Sequence, residues 1–428
     1  MNNQLLRVLR IRSFFFLWMA EIFSQIAINM MNFILIVVVF ELTGSNTAVS
    51  GVVLSFTIPA ILFGLYAGVY VDRRDKKKIL IASNIIRALL LVALGFFHGN
   101  IFLLYFLAVL ITIVTQFFIP AESPIIPRLV SSKLLLSANA LFGVGVYGSL
   151  LVAYALSGPL YLFFQQYIFF FLAFLFLVAA IFCWLIAVPT QKKKIDLLPD
   201  NKTGVSLKKE VKELFALLLR TKAVYQAMFL LVMSQVIILI LATIGPGYAR
   251  SVLGINVAEF PVVFVTPAAL GMFLTSVIVG NFSRKTWRGI MTTVGVFLSG
   301  FGILLLPYGS KVASRGFVTI LNSFLPSFLS VSTLHITIFI AFVFGIANAL
   351  VFVPSNTLLQ EKVADEFRGK VYGLLNALVG VSSLLPIILV GGFADLLGVS
   401  HVLTGIGVIV IIIGLFRISF TKRGRINA

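Results

Sequence analysis

Apolar runs long enough to cross a lipid bilayer recur along this sequence, each closed by a short charged or polar break. A helix rises about 1.5 Å per residue, so about 20 apolar residues cover a hydrocarbon core roughly 30 Å thick. Runs of that length predict helices near 13–41, 48–71, 79–98, 101–121, 138–164 and 167–189. A second set is expected near 223–248, 261–283, 289–307, 335–356, 371–394 and 399–416. Backbone polar groups find no partner in lipid, so spans of this kind must be helical. The expected fold class is therefore all-α and polytopic, with 12 transmembrane helices. Residues "QQY" at 165–167 leave room only for a tight turn between the fifth and sixth. Composition agrees. The 428 residues are 60% hydrophobic and 11% charged, with a mean hydropathy of +1.10, whereas soluble domains carry about 25% charged residues.

A net charge of +19 would point to nucleic acid in a soluble chain. Here the basic residues sort by topology. With the N-terminus cytoplasmic, 29 of the 33 Lys and Arg fall in cytoplasmic segments; Arg250, Lys311 and Arg315 fall outside and Arg87 falls within a span. Positive charge follows the cytoplasmic side, and one missed or spurious helix would scramble the pattern. Both termini are expected in the cytoplasm, in a multi-pass protein of the cell (inner) membrane, with no nucleic-acid partner. The opening segment, "MNNQLLRVLRIR" and the long apolar run after it, reads as a first span rather than a cleavable signal. One cysteine, Cys183, and three separated histidines, His98, His335 and His401, offer neither a disulfide framework nor a metal site. No cofactor is expected.

Two halves are legible. Residues 1–189 and 223–428 are expected to form two six-helix bundles, joined by a cytoplasmic linker at 190–222. Within the linker, Leu207, Val211, Leu214, Phe215 and Leu218 recur at helical spacing, as in an amphipathic helix lying on the membrane face. "FFIPAESPIIPRLV" (117–130) aligns with "VFVPSNTLLQEKVA" (351–364), placing Pro120 opposite Pro354, and Gly158 maps to Gly392 at the same offset. Such pseudo-symmetric repeats characterise transporters.

Charged and polar residues inside spans carry the functional signal. Glu21, Gln25, Asn29 and Asn32 stand at i, i+4, i+8 and i+11, within about 80° around a helix. Such a stripe faces a bundle interior or a wet cavity. Glu21 has two readings: an unpartnered cavity carboxylate that exchanges protons, or a structural pair with Arg87 on helix 3.

"GVYVDRRDKKK" (68–78) resembles the helix 2–3 motif of the major facilitator superfamily, with Gly68, Asp72, Arg73, Lys76 and Lys77 matching and Asp75 where a glycine is usual. "ELTGS" (41–45), "LLQEKVADEFRGKVYG" (358–373) and "ADLLGVSHV" (394–402) are similar to its macrolide-efflux and siderophore-exporter branch. The resemblance implies that helices 1, 4, 7 and 10 line a central cavity, which adds Thr112, Gln116, Gln226, Gln235, Asn348 and Asn356 to the candidates. It also implies a conformational latch. Asp72 would face the positive N-terminal end of helix 11, with Gly68 letting the backbones approach and Glu122 and Arg128 as loop-level partners. Gly145, Gly158 and Pro159 partly match the helix 5 antiporter motif.

The resulting expectation is a monomeric secondary transporter, not an enzyme. It would export an amphipathic organic compound (drug-, macrolide- or siderophore-like) by proton antiport and alternating access, as multidrug-resistance antiporters do. The alternative cargo is a lysophospholipid or similar lipid moved between leaflets, and membrane lipid is the other expected partner.

Overall fold

Long apolar segments fold as helices, most of them at or above the length of about 20 residues that covers a hydrocarbon core. The computed structural model describes residues 2–72, 74–131, 134–187, 222–282, 287–309, 318–319, 322–323, 331–363 and 365–426. After a short helix, Asn2–Leu9, the first half contains α1 (Arg12–Thr43), α2 (Asn46–Asp72), α3 (Lys76–Phe97), α4 (Ile101–Glu122), α5 (Leu135–Phe164) and α6 (Ile168–Leu185). The second contains α7 (Lys222–Tyr248), α8 (Thr266–Phe282), α9 (Arg288–Leu305), α10 (Thr333–Lys362), α11 (Asp365–Leu397) and α12 (Val399–Ile426). Among the described residues there is no strand. The expected amphipathic linker helix lies outside the described residues.

Among the described residues, eleven stretches are long and apolar enough to cross a membrane. One of them, Ser137–Leu185, is two helices, because the chain turns at Gln165–Tyr167 with Gln165 at φ 48°. The expected hairpin is there. Other boundaries differ where charge begins: α10 runs on to Lys362 and α11 starts at Asp365. Hydropathy marks only the apolar part of a helix; the polar segments "LQEK" and "DEFRGK" continue the helices beyond it. At the start of α8 the helix opens into a wide π turn at Pro261–Val265, preceded by a 3-10 turn at Val257–Glu259.

Helix contacts repeat between the halves. α1 packs on α5 as α7 packs on α11, and α2 packs on α4 as α8 packs on α10. α3 lies against α4 and α6, and α9 lies against α10 and α12. Across the halves α2 meets α11 and α7, while α5 meets α8 and the turns at 257–265. The largest buried apolar cluster contains the end of α1 from Ala27 to Phe40 and joins both halves through Ile237, Ile240, Phe260, Phe264 and Ile387. A second cluster, with Leu17, Val71, Leu80, Phe118, Ile125 and Cys183, fills the other end of the first half.

Candidate functional site

Three charged side chains are sealed inside the first half. Glu21 on α1 is 1% exposed, Arg87 on α3 is 1% exposed and Glu122 on α4 is 5% exposed. Glu122 ends its helix, but the chain folds back over it through Ser123–Ile125 and the helical turn Ile126–Leu129. Ile125 and Ile126 then pack with Phe118, Leu80 and Cys183, which closes off water. This corrects the expectation that Glu122 sits at loop level beside Asp72. Its partner is Glu21, and their carboxyl groups lie within hydrogen-bonding reach of each other.

Glu21 Oε1 accepts from Gln25 Nε2 at 2.8 Å, and Asn29 Nδ2 donates to Gln25 Oε1 at 3.2 Å and to its carbonyl at 2.7 Å. The predicted stripe is thus a hydrogen-bonded ladder, buried at Glu21 and half-exposed at Gln25, Asn29 and Asn32. Glu21 Oε2 and Glu122 Oε1 are buried with no donor. Two ionised carboxylates about 4 Å apart at an effective dielectric of 20 would repel by about 4 kcal/mol. A proton between them replaces that repulsion with a hydrogen bond.

Arg87 compensates part of this charge at a distance. Its guanidinium lies over the Phe118 and Phe176 rings, 4.4 Å and 4.5 Å from their centroids. It donates to Asn84 Oδ1 at 2.8 Å and to the Ser83 carbonyl at 3.3 Å. Among the described residues the one ion pair is Arg288–Glu361. Neither reading of Glu21 therefore fits: it is not open to a cavity, and it forms no contact pair with Arg87.

The remaining polar candidates are dispersed. Thr112 and Gln116 bond back to their own helix. Asn348 donates to Ser234 Oγ at 2.9 Å, joining α10 to α7, while its Oδ1 is buried without a donor. Tyr372 of α11 donates to Asn356 Oδ1. Gln226 and Gln235 are half-buried.

The two halves touch at one end. Asp395 of α11 accepts from the backbone N–H groups of Asn46 and Thr47 at 2.7 Å and 2.9 Å. Ser45 Oγ, Asn46 Nδ2 and Thr47 Oγ1 donate to it as well, at 2.6, 2.9 and 2.7 Å. A carboxylate from one half thus caps the first turn of α2 in the other, where the free N–H groups and the helix dipole favour negative charge. Below it, Ser50 Oγ donates to the Ile387 carbonyl at 2.9 Å. A Cβ at Gly391 would strike Ser50 and the Asn46 carbonyl, and one at Gly380 would strike Ile61. Gly158 of α5 lies equally close to the Ala258 carbonyl. Only residues without a side chain allow these approaches. The repeat alignment is off by one residue here, since Gly391 rather than Gly392 makes the contact.

Toward the other end, where the basic segments lie, no such close approach is made by the described glycines. Seven residues, about two turns, separate Ile61 from Gly68 and Gly380 from Gly373. Both glycines continue the same helix faces, yet nothing lies within 4 Å of where their Cβ atoms would stand. Gly68 therefore makes none of the close approach expected of it. Arg73 and the side chain of Asp72 lie outside the described residues, while Arg128 is exposed and Lys76 and Lys77 are half-buried. Asp75 has a local task, accepting from the Lys77 and Lys78 N–H groups at 3.0 and 3.3 Å as the N-cap of α3. Gly145 makes room for Trp18, whose Nε1 donates to the Leu141 carbonyl at 2.9 Å; Pro159 is exposed.

Comparison with known proteins agrees with this architecture. The uncharacterized MFS-type transporter YfiS of Bacillus subtilis (strain 168) is 26% identical over 394 residues, covering 89% of this chain and 86% of YfiS. Macrolide efflux protein A of Streptococcus pyogenes is 23% identical over 399 residues, covering 91% of each. Among solved structures, a nucleoside transporter NupG superposes with a TM-score of 0.71 at 11% identity, covering 95% of this chain and 99% of NupG. A bacterial homologue of the human lysosomal transporter Spinster, inward-facing and unoccupied, superposes at 0.67 and 15% identity, covering 95% and 96%. The family profile described as the Major Facilitator Superfamily matches residues 17–324, and with the all-helical, multi-pass fold this means that the chain belongs to that superfamily of membrane transporters.

Proposed function

We propose that the protein exports an amphipathic organic compound across the cell membrane by alternating access between its halves, exchanging cargo for protons. The observation that carries the alternating-access reading is the one-sided contact of α2 and α11. They are in contact from Asn46–Asp395 to Ile61–Gly380, whereas Gly68 and Gly373 have open space where a Cβ would stand. With the basic segments on the cytoplasmic side, this one-sided contact supports an inward-facing state, which takes cargo from the cytoplasm. The likeness to macrolide efflux protein A supports a bulky amphipathic cargo and the outward direction. The sealed Glu21–Glu122 pair supports protons as the coupling ion, since buried ionisable groups in spans commonly serve proton relays. Asp72 is the proposed latch of the opposite, outward-facing state, in which the basic end closes.

Purified protein in proteoliposomes tests this reading against a panel holding a macrolide, a cationic amphipathic dye and a lysophospholipid. An exporter moves the macrolide or the dye when a pH gradient is imposed. Movement of the lysophospholipid alone would instead establish the lipid-carrying alternative, and no movement of any compound would sink both.

A further inference from the structure

Glu21 and Glu122 come from different helices, and each keeps one buried oxygen without a donor. The charged or titratable groups around them are few. α3 contributes Arg87, α6 contributes Cys183, and among the described residues no such group from α2 or α5 acts on either carboxyl. Arg87 supplies one positive charge and spends its resolved hydrogen bonds on Asn84 and Ser83. With both carboxyls ionised, the sealed cluster would hold a net negative charge and two facing acceptors with no hydrogen between them. With both protonated, it would hold the bare charge of Arg87. One proton makes the cluster neutral and supplies the hydrogen that the two carboxyl groups lack between them.

We infer that Glu21 and Glu122 form a single proton-binding site, in which one proton bridges the two carboxyl groups while Arg87 balances the remaining charge. The site deepens the antiport reading by naming where the coupling proton is held, and it rests on that reading for what the proton is used for. Gln25 and Asn29 extend hydrogen bonding from this pair to the half-exposed face of α1, so a change in the α1–α4 spacing alters the pair and the stripe together. Separating the carboxyls breaks the bridging O–H···O contact and lets water in, which takes the proton and solvates the carboxylates beside Arg87.

Infrared spectroscopy of the full chain in lipid nanodiscs reads this without any cargo. A buried carboxylic acid gives a carbonyl band that is distinct from the carboxylate bands and shifts in heavy water. Calibrated difference spectra of wild type against each variant are expected to give one such acid per chain at neutral pH. The same band is expected to vanish in Glu21→Gln and again in Glu122→Gln, because the surviving carboxylate then neutralises Arg87. Cys183→Ser should leave it unchanged. Loss in only one Gln variant, or two separate bands each lost with its own residue, would overturn the shared site. Should a Gln variant fail to fold, Glu21→Asp and Glu122→Asp replace it; both must move the one band, and a response to only one of them overturns the proposal. Absence of pH-driven flux would count against antiport, whereas the band alone decides the pair.

Discussion

Asp395, near the end of α11, accepts hydrogen bonds from both the backbone and the side chain of Asn46, the first residue of α2. The carboxylate thus does in trans what an N-cap residue does within its own helix. A charge at a helix N-terminus is worth up to about 2 kcal/mol in a partly buried setting, roughly a thirty-fold shift between two states. Asp395→Asn is expected to weaken closure of this end while the fold survives. Spin-label distances across the Asp395 end should gain a longer component; an unchanged distribution would remove Asp395 from the gate.

Gly391 and Gly158 lie where the other half leaves no room for a Cβ. Leucine at Gly391 has no room against Ser50 and the Asn46 carbonyl, so the closed end must part. In a Ser50→Cys background, a water-soluble thiol reagent is expected to label the protein slowly, and Gly391→Leu should speed labelling several-fold. The native Cys183 is buried and adds little background. Equal labelling rates would mean that the approach is not what holds this end shut.

Gly68 presents the reverse case. Its face of α2 is open in this state, so Gly68→Leu costs little stability here but obstructs closure of the basic end. The expected result is an unchanged melting temperature with a large fall in turnover. A fall in melting temperature with normal turnover would mean that the residue serves packing alone.

Asp75 is explained by local chemistry rather than by the latch. Removing its cap in Asp75→Ala is expected to cost about 1 kcal/mol, seen as a lower melting temperature, and Asp75→Ser should recover most of it. If Asp75→Ala melts at the wild-type temperature, the cap contributes nothing.

Helix positions were legible because a span is a local property: length and hydropathy place α1 to α12 within a few residues except where charged ends extend them. The α1 stripe was legible for the same reason, since spacing alone puts Glu21, Gln25 and Asn29 on one face. Glu122 was misread because its burial depends on the Ser123–Leu129 segment folding back over the helix end, a tertiary event with no periodic signature. Asp395 carries no local signal of its role: it is an exposed acid near a helix end, yet its partners lie about 350 positions earlier in the chain. Contacts of that separation appear only when two halves meet. One signal was present for both residues: each is an acid beside a run of small or proline residues, where the chain turns or helices approach.

The claim that a carboxyl inside the first half couples protons to export is tested most directly by pH-driven accumulation in proteoliposomes, comparing wild type with Glu21→Gln on the same panel of compounds. Gln keeps the size of the side chain and its bond to Gln25 but removes titration. Wild type is expected to accumulate at least one amphipathic compound while the gradient lasts, and Glu21→Gln to exchange that compound across the membrane without accumulating it. Well-folded Glu21→Gln that accumulates cargo as wild type does would contradict the account.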